Sequence, residues 1–373
     1  MTYKGIFVDD QELVYAETLS TPEHLEFKPQ DVEEVAVLAR KIVGESPIIV
    51  AIDYRLDEAP AGLQGDQTYK GSALAQHLRD ASIDHPEQDF ALVLVSAESK
   101  IKALYRPDKT AHDLFDRVYV KEDINNQRAA VRQELISLCK GYEKLRAVGN
   151  RYDIIDLMAG IDDDRPYVDA QEIRTKLAEA AAPHVAARIL FTLIDRPGPL
   201  LTTEYACAYL GIDPGDGQNA TDIMRDAGIA YEGIFGDAWP RWWAHRLESW
   251  AQGIFKRRAT GLPASDRARI LAESTGKEFE PARSPWNESS NELISFACAS
   301  CGRGTELRHS VAAFEPSQPR YLARRRICWD CVQKDQYEAV EPPLSIDDAD
   351  KDLAQQVKGR ERSEGHEIGR AHV

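Results

Sequence analysis

Two sets of residues in this 373-residue chain are of the right types and spacing to do chemistry. The first is a series of polar groups that each close a short apolar run. Asp53 falls in IIVAIDYRL (48–56), Asp9 and Asp10 end GIFVDD, Ser96 ends FALVLVS and Lys121 follows RVYV. Such runs read as strands of a parallel α/β sheet, which places its chemistry at the strands' C-terminal mouths. If the strands lie side by side, three carboxylates, a hydroxyl and an ammonium converge on one pocket. A free carboxylate is a nucleophile toward a phosphoryl group. Three crowded acids are costly unless a divalent cation joins them, and Mg²⁺ takes a few carboxylates plus waters. Asp53 then reads as the phospho-acceptor. Asp9, Asp10 and Asp53, with the backbone carbonyl of Arg55, read as the Mg²⁺ shell. Lys121 supplies a point charge for phosphoryl oxygens, and Ser96 a hydroxyl that turns to hydrogen-bond the new phosphate.

The second set is sulfur. Cys298-x2-Cys301 and Cys328-x2-Cys331 are separated by 26 residues, a spacing that lets two knuckles present four thiolates to one structural Zn²⁺. His309 could replace one thiolate, but with four cysteines at hand it reads as a surface imidazole. Cys139 and Cys207 sit on apolar helix faces and read as buried thiols.

Residues 1–147 alternate strand-like and helix-like patterns, the signature of βα units. The expected strands are 4–8, 24–28, 48–52, 90–95 and 117–120. The expected helices are 11–19, 31–43, 71–81, a weak one within 99–115, and 127–146. The connection EAPAGLQGDQTYKG is longer than a βα loop needs and reads as a lid, a partner contact or an inert insertion. Residues 151–253 read as an all-helical domain, in which LLTTEYACAYLGIDP carries the Thr cap and Gly turn of a helix-turn-helix or simply of a packed bundle. Trp239, Trp242, Trp243 and Trp250 read as a core-facing stripe at helical spacing, and Asp162–Asp164 as a helix-capping loop. Residues 254–293 read as an Arg-rich linker with one short helix, 294–335 as the zinc ribbon and 336–373 as a disordered tail. Within that tail, EIGRAHV (367–373) resembles a translated adapter oligonucleotide foreign to the fold, which would leave the natural C-terminus outside the sequence.

Charge narrows the partners. The net charge is −16, but 241–334 carries 16 basic and 10 acidic residues while 151–240 carries 7 and 16. Nucleic acid could be met only by that basic segment, where Arg320, Arg324, Arg325 and Arg326 precede the second knuckle among Phe314, Tyr321 and Trp329. The same residues suit a basic face docked on the chain's own acidic parts. No apolar run reaches membrane-spanning length and no signal pattern opens the chain, so a cytoplasmic protein is expected. The sequence contains no Gly-rich phosphate loop and no HExxH.

Asp9–Asp10, Asp53, Ser96–Ala97 and Lys121 stand in the order, and on the strands, of the receiver domain of bacterial two-component response regulators, which residues 4–146 resemble. The resemblance implies a five-stranded flavodoxin-like doubly wound sheet, Mg²⁺ dependence and phosphotransfer from a partner histidine kinase. Three features depart from the family pattern. Glu122 stands where Pro usually follows the Lys. Val118 holds the switch-aromatic position while Tyr119 is one residue off, and the loop after Asp53 is enlarged. The expectation is a signalling protein, not an enzyme beyond accepting phosphate on itself, with a partner-binding ribbon. Its alternatives are a phosphate sink or constitutive adaptor whose ribbon binds protein or nucleic acid, and an effector enzyme with activity in 151–330.

Overall fold

The five apolar runs form the strands expected of them: β1 (Tyr3–Val8), β2 (Leu25–Gln30), β3 (Ile49–Ile52), β4 (Ala91–Ser96) and β5 (Arg117–Val120). They build one all-parallel sheet in the order β2-β1-β3-β4-β5, the flavodoxin-like doubly wound order with its switch point between β1 and β3. β3 and β4 are buried at every position, and strands covered on both faces need unbroken apolar runs such as IVAI and ALVLV. β2 lies at an edge, where Pro29 costs no ladder bond.

The computed structural model describes residues 2–58, 68–97, 114–149, 151–315, 319–340 and 343–359. Most of the enlarged loop after Asp53, nearly all of the weak helix within 99–115 and the 367–373 segment lie outside these residues. On one sheet face Ile6, Val8, Val50, Ile52, Leu92 and Leu94 pack against Leu38, Ala39 and Ile42 of α2 (Val35–Glu45) and Leu74, Ala75 and Leu78 of α3 (Gly71–Asp84). The other face meets α4 (Arg128–Val148), which also packs against α1 (Tyr15–Leu19) and buries Leu135, Leu138, Cys139 and Tyr142. The helix expected from residue 11 starts only at Tyr15. Asp9 Oδ1 accepts from the backbone N of Gln11 (2.9 Å) and Glu12 (2.8 Å), which holds that stretch as a turn.

The chain divides into two compact units, Met1–Thr192 with Glu232–Trp239, and Leu193–Tyr231 with Pro240–Val373. The first therefore runs past the boundary expected near residue 150. A buried ionic network ties this extension to the sheet. Arg79 Nη2 donates to Asp116 Oδ2 (2.9 Å), Arg79 Nη1 to Asp89 Oδ1 (3.4 Å), and Tyr142 Oη to Asp116 Oδ1 (2.8 Å). Asp89 Oδ2 in turn accepts from the backbone N of His184 (2.6 Å) at the start of the helix Pro183–Asp195 and contacts its Nδ1 (3.0 Å). Burial pulls the Arg79 guanidinium down, but Asp116, Tyr142 and Asp89 more than offset it and the net shift is upward. Residues 232–239 return to the same unit. Phe235 stacks on Phe191 (4.3 Å) and covers Gly141, where a Cβ would stand 2.1 Å from its ring.

In the second unit the helices Thr203–Leu210, Gly217–Asp226, Ala244–Phe255 and Ala264–Thr275 share a core containing Leu210, Met224, Trp242, Leu247 and Leu271. The stretch expected as a linker thus contributes Ala268 and Leu271 to a core. Thr202 caps the first of these helices and Gly211, at φ 76°, ends it. Burial pulls the guanidinium of Arg267 down to about 10, and it donates to the carbonyls of Tyr209 and Ile294 (both 2.5 Å). Trp242 and Trp243 are buried and Trp239 and Trp250 half-buried, but not as a helical stripe. Trp242 and Trp243 form a short strand against Leu200–Leu201, Trp250 packs on the helical core, and Trp239 belongs to the first unit.

The ribbon is two small antiparallel pairs, Phe296–Ala297 with Gly304–Thr305 and Ser310–Ala312 with Arg326–Cys328, followed by the helix Trp329–Gln333. Part of the tail expected to be disordered folds onto it. Leu344, Ile346, Ala354 and Val357 join Val311, Ile327 and Val332 in one core, with Lys351–Lys358 helical. Four well-spaced apolar residues anchor a segment that its acidic composition alone would leave unfolded.

Because removing one partner of a buried ion network leaves an unpaired charge, Arg79→Ala is expected to cost about 3–5 kcal/mol of unfolding free energy. Urea denaturation of the full chain followed by tryptophan fluorescence measures it, and a loss below about 1 kcal/mol, the scale of an exposed pair, would contradict the network's role.

Candidate functional site

The strand registers bring the expected residues to one edge of the sheet. Val8 pairs with Ile52, Ile52 with Leu94 and Ser96 with Val120, so Asp9, Asp53, Ser96 and Lys121 emerge side by side. Asp53 is buried, and its backbone N donates to the Val8 carbonyl (2.9 Å) as a continuation of the ladder. Its Oδ1 accepts from Ser96 Oγ (2.9 Å) and lies 3.2 Å from Lys121 Nζ, while its Oδ2 accepts from the backbone N of Arg55 (2.7 Å). Lys121 Nζ also donates to Asp9 Oδ2 and to Glu12 Oε2, both at 2.7 Å. One ammonium therefore faces three carboxylates.

The electrostatics follow from this placement. Burial pushes the Asp53 carboxyl up, Lys121 pulls it down, Asp9 pushes it up again, and Ser96 and the Arg55 amide pull it down; the net shift is upward. Burial pulls the Lys121 ammonium down, but the hydrogen bonds to Asp9 and Glu12 and the Asp53 charge outweigh it, and the net shift is upward. Lys121 stays protonated at neutral pH.

Asp10 stands at the mouth, its Oδ2 accepting from the backbone N of Glu58 (2.9 Å). Arg55 meets Asp53 through its N–H, and its side chain turns to Asp57 (2.5 Å). Asp9, Asp10 and Asp53 supply hard oxygens of the kind Mg²⁺ takes. In this structure the ammonium of Lys121 stands between Asp9 and Asp53, so a cation there would have to share those carboxylates with it. Val118 faces the α2–α3 core, Tyr119 is buried on a strand whose neighbouring positions point to the opposite face, and Glu122 is exposed.

Two contributors were not singled out in the sequence. Glu12 lies two residues past the acidic pair, within reach of Lys121 only because the Asp9 turn folds it back. Gly71 opens α3 directly against Asp53: its N–H donates to the Tyr54 carbonyl (2.8 Å), and a Cβ would stand 2.2 Å from the Asp53 carbonyl oxygen. A Gly at the start of the helix after a long loop was the available signal.

The four cysteines come together. Cys298 Sγ lies 3.9 Å from Cys331 Sγ, and Cys301 Sγ 3.9 Å from Cys328 Sγ. Sulfurs about 2.3 Å from a tetrahedral zinc stand about 3.8 Å apart. The cluster can hold a zinc ion. The backbone N of Cys328 (3.2 Å) and of Ser300 (3.4 Å) donate to Cys298 Sγ, as donors around a thiolate do. His309 is not a member of this group. Of the arginines before the second knuckle, Arg324 pairs with Asp347 (3.1 Å), Arg325 with Glu315 (2.8 Å) and Arg326 with the Ser310 carbonyl (2.8 Å). Cys139 and Cys207 are buried, and burial pushes the Cys139 thiol far up, which leaves it inert.

No family model matches the chain, and no curated protein matches it. Among solved structures it is similar to the signal receiver domain of NarL from Mycobacterium tuberculosis, at 18% identity over 38% of this chain and 98% of that one, TM-score 0.27. It is also similar to a yeast Spc42 trimeric coiled-coil fusion, at 11% identity over 40% and 90% of the two chains, TM-score 0.27. The fold assignment rests on the strand order itself. Fold and site together define a flavodoxin-like α/β unit with an aspartate–lysine–serine set at its C-terminal edge. Among the described residues no helix is long and apolar enough to cross a membrane.

A carboxyl group whose folded pKa is raised favours the fold when protonated, and that contribution is lost as pH rises through the raised value. At neutral pH the ionised Asp53 is a net cost, while Lys121 retains Asp9 and Glu12. Asp53→Asn is therefore expected to unfold at higher temperature than wild type at pH 7, with the difference vanishing below the ordinary carboxylate range. Thermal unfolding across pH measures this, and a variant less stable at pH 7 would refute it. Gly71→Ala, which forces its methyl group into the Asp53 backbone, is expected to cost roughly 1–3 kcal/mol in the same assay.

Proposed function

We propose that the first unit is a response-regulator-like receiver that accepts a phosphoryl group on Asp53. The observation that carries this reading is the acceptor's own environment: a buried carboxylate with Ser96 Oγ and Lys121 Nζ on one oxygen and a backbone N–H on the other. An isolated acid at a strand end has no need of such a set.

The donor is a phosphohistidine of a partner histidine kinase. An Asp53 oxygen attacks phosphorus, the P–O bond forms as the P–N bond breaks, and the leaving imidazole takes up a proton. Lys121 orients the carboxylate beforehand and then neutralises the oxygens of the transferred group. Ser96, hydrogen-bonded to Oδ1 in this state, exchanges that partner for a phosphoryl oxygen. Asp9, Asp10 and Asp53 with the Arg55 carbonyl would hold Mg²⁺, which would supply neutralisation of the phosphoryl charge. Burial of the Asp53 carboxyl keeps competing water away from the acyl phosphate.

Output leaves through the second unit, whose ribbon is held by a structural zinc on Cys298, Cys301, Cys328 and Cys331. The pairing of Arg324, Arg325 and Arg326 within the ribbon favours a protein partner over nucleic acid, because those guanidinium groups already serve Asp347, Glu315 and the Ser310 carbonyl.

Incubation of the full chain with Mg²⁺ and a small acyl phosphate is expected to give a base-labile phosphate on wild type. Asp53→Ala should take up none, and Lys121→Met should take up at least tenfold less. Mass spectrometry of the intact protein reads the outcome, and equal uptake by wild type and Asp53→Ala, or none by either, would overturn the reading.

A further inference from the structure

A second group of metal-type ligands lies outside both sites described above. Glu292, Glu306 and His309 each offer one ligand atom, and these atoms all lie within 4.8 Å of one another. Glu306 is 2% exposed and Glu292 6%. A structural ion-pair cluster would be expected to satisfy all of their oxygens, and this one does not.

The carboxylates are held on one side only. Glu306 Oε1 accepts from Ser284 Oγ (2.8 Å) and contacts His309 Nδ1, while Glu292 Oε1 accepts from Asn287 Nδ2 (2.8 Å) and contacts the largely exposed Arg308. Glu306 Oε2 is fully buried and has no hydrogen-bond partner among the described residues. An unpartnered carboxylate oxygen in the interior carries a desolvation cost that none of the described residues offsets. Ser284 and Asn287 meanwhile orient the two carboxylates as outer-shell donors orient metal ligands. The imidazole is fixed against Trp329 (5.0 Å between ring centroids) and Trp286 (6.4 Å).

We propose that Glu292, Glu306 and His309 bind a second divalent cation of the zinc class, separate from the four-cysteine site. Two carboxylates and one imidazole suit zinc and its first-row neighbours better than Mg²⁺, which prefers oxygen alone. Glu292 and Glu306 also line a cavity of about 650 Å³ together with Tyr205, Tyr209 and Arg258. With three protein ligands, two of them from residues that line this cavity, a bound cation would have room for a water or an exchangeable ligand, unlike one enclosed by four thiolates. The inference is independent of Asp53.

Zinc titration of the full chain against a chromophoric chelator, checked by elemental analysis, tests it. Wild type is expected to take up two equivalents, His309→Ala and Glu306→Gln one each. Loading with Co²⁺ separates the sites: the cysteine cluster gives thiolate charge-transfer absorption, which both variants should keep at wild-type intensity, and that band also reports that the ribbon is folded. Only the second equivalent, lacking such a band, should disappear. Uptake of a single equivalent by wild type, or of two by both variants, would overturn the proposal.

Discussion

The buried ammonium of Lys121 is the interaction on which the C-terminal edge of the sheet depends. It faces Asp9, Glu12 and Asp53 at 2.7, 2.7 and 3.2 Å, and without it two buried carboxylates would confront each other in a medium that screens them poorly. Asp9 is fixed from its other side by the amides of Gln11 and Glu12, and Asp53 by Ser96 and the Arg55 amide. The Asp53 carboxylate is thus held in place by groups from the ends of four strands. Its raised pKa records that even this set does not fully repay its burial.

The opposite end of β4 and β5 is governed by the same constraint with the signs distributed differently. There one guanidinium, Arg79, serves Asp89 and Asp116, and Tyr142 and His184 complete the carboxylates' bonds. β5 begins beside Asp116, and the guanidinium of its first residue, Arg117, lies 3.7 Å from the Phe191 ring centroid and 4.7 Å from that of Trp239. It ends at Lys121. β5 is thus anchored at one end in the charge network of Lys121 and at the other in an aromatic pair, Phe191 and Trp239.

Periodicity made the sheet legible. The runs before Asp9, Asp53, Ser96 and Lys121 are long and β-branched enough to be read as strands, and their polar endings mark the edge where chemistry can occur. The CxxC pairs were legible because their spacing is itself the geometry. The Arg79 network was not, since its partners lie 10 to 95 residues apart, and single-sequence patterns carry no record of such pairings. Nor was the interleaving of 232–239 with the first unit, because an eight-residue return has no period. Residues 343–358 were misread for a related reason: acidic composition hid Leu344, Ile346, Ala354 and Val357, which fold only because the ribbon offers them a core.

The departures from the receiver pattern have physical consequences within the first unit. Val118 lies on the face packed against α2 and α3, where a short aliphatic side chain fills the core and has no polar tip to exchange between core and solvent. Tyr119 points to the other face and is buried, its phenol far from the ordinary range because burial and the neighbouring Glu134 both disfavour its ionised form. A fully buried ring cannot change its exposure without repacking α4. Val118 and Tyr119 thus tie β5 to the layers on both faces of the sheet, and at its N-terminal end the strand is fixed by the Asp116–Arg79 pair rather than by a side chain free to swing.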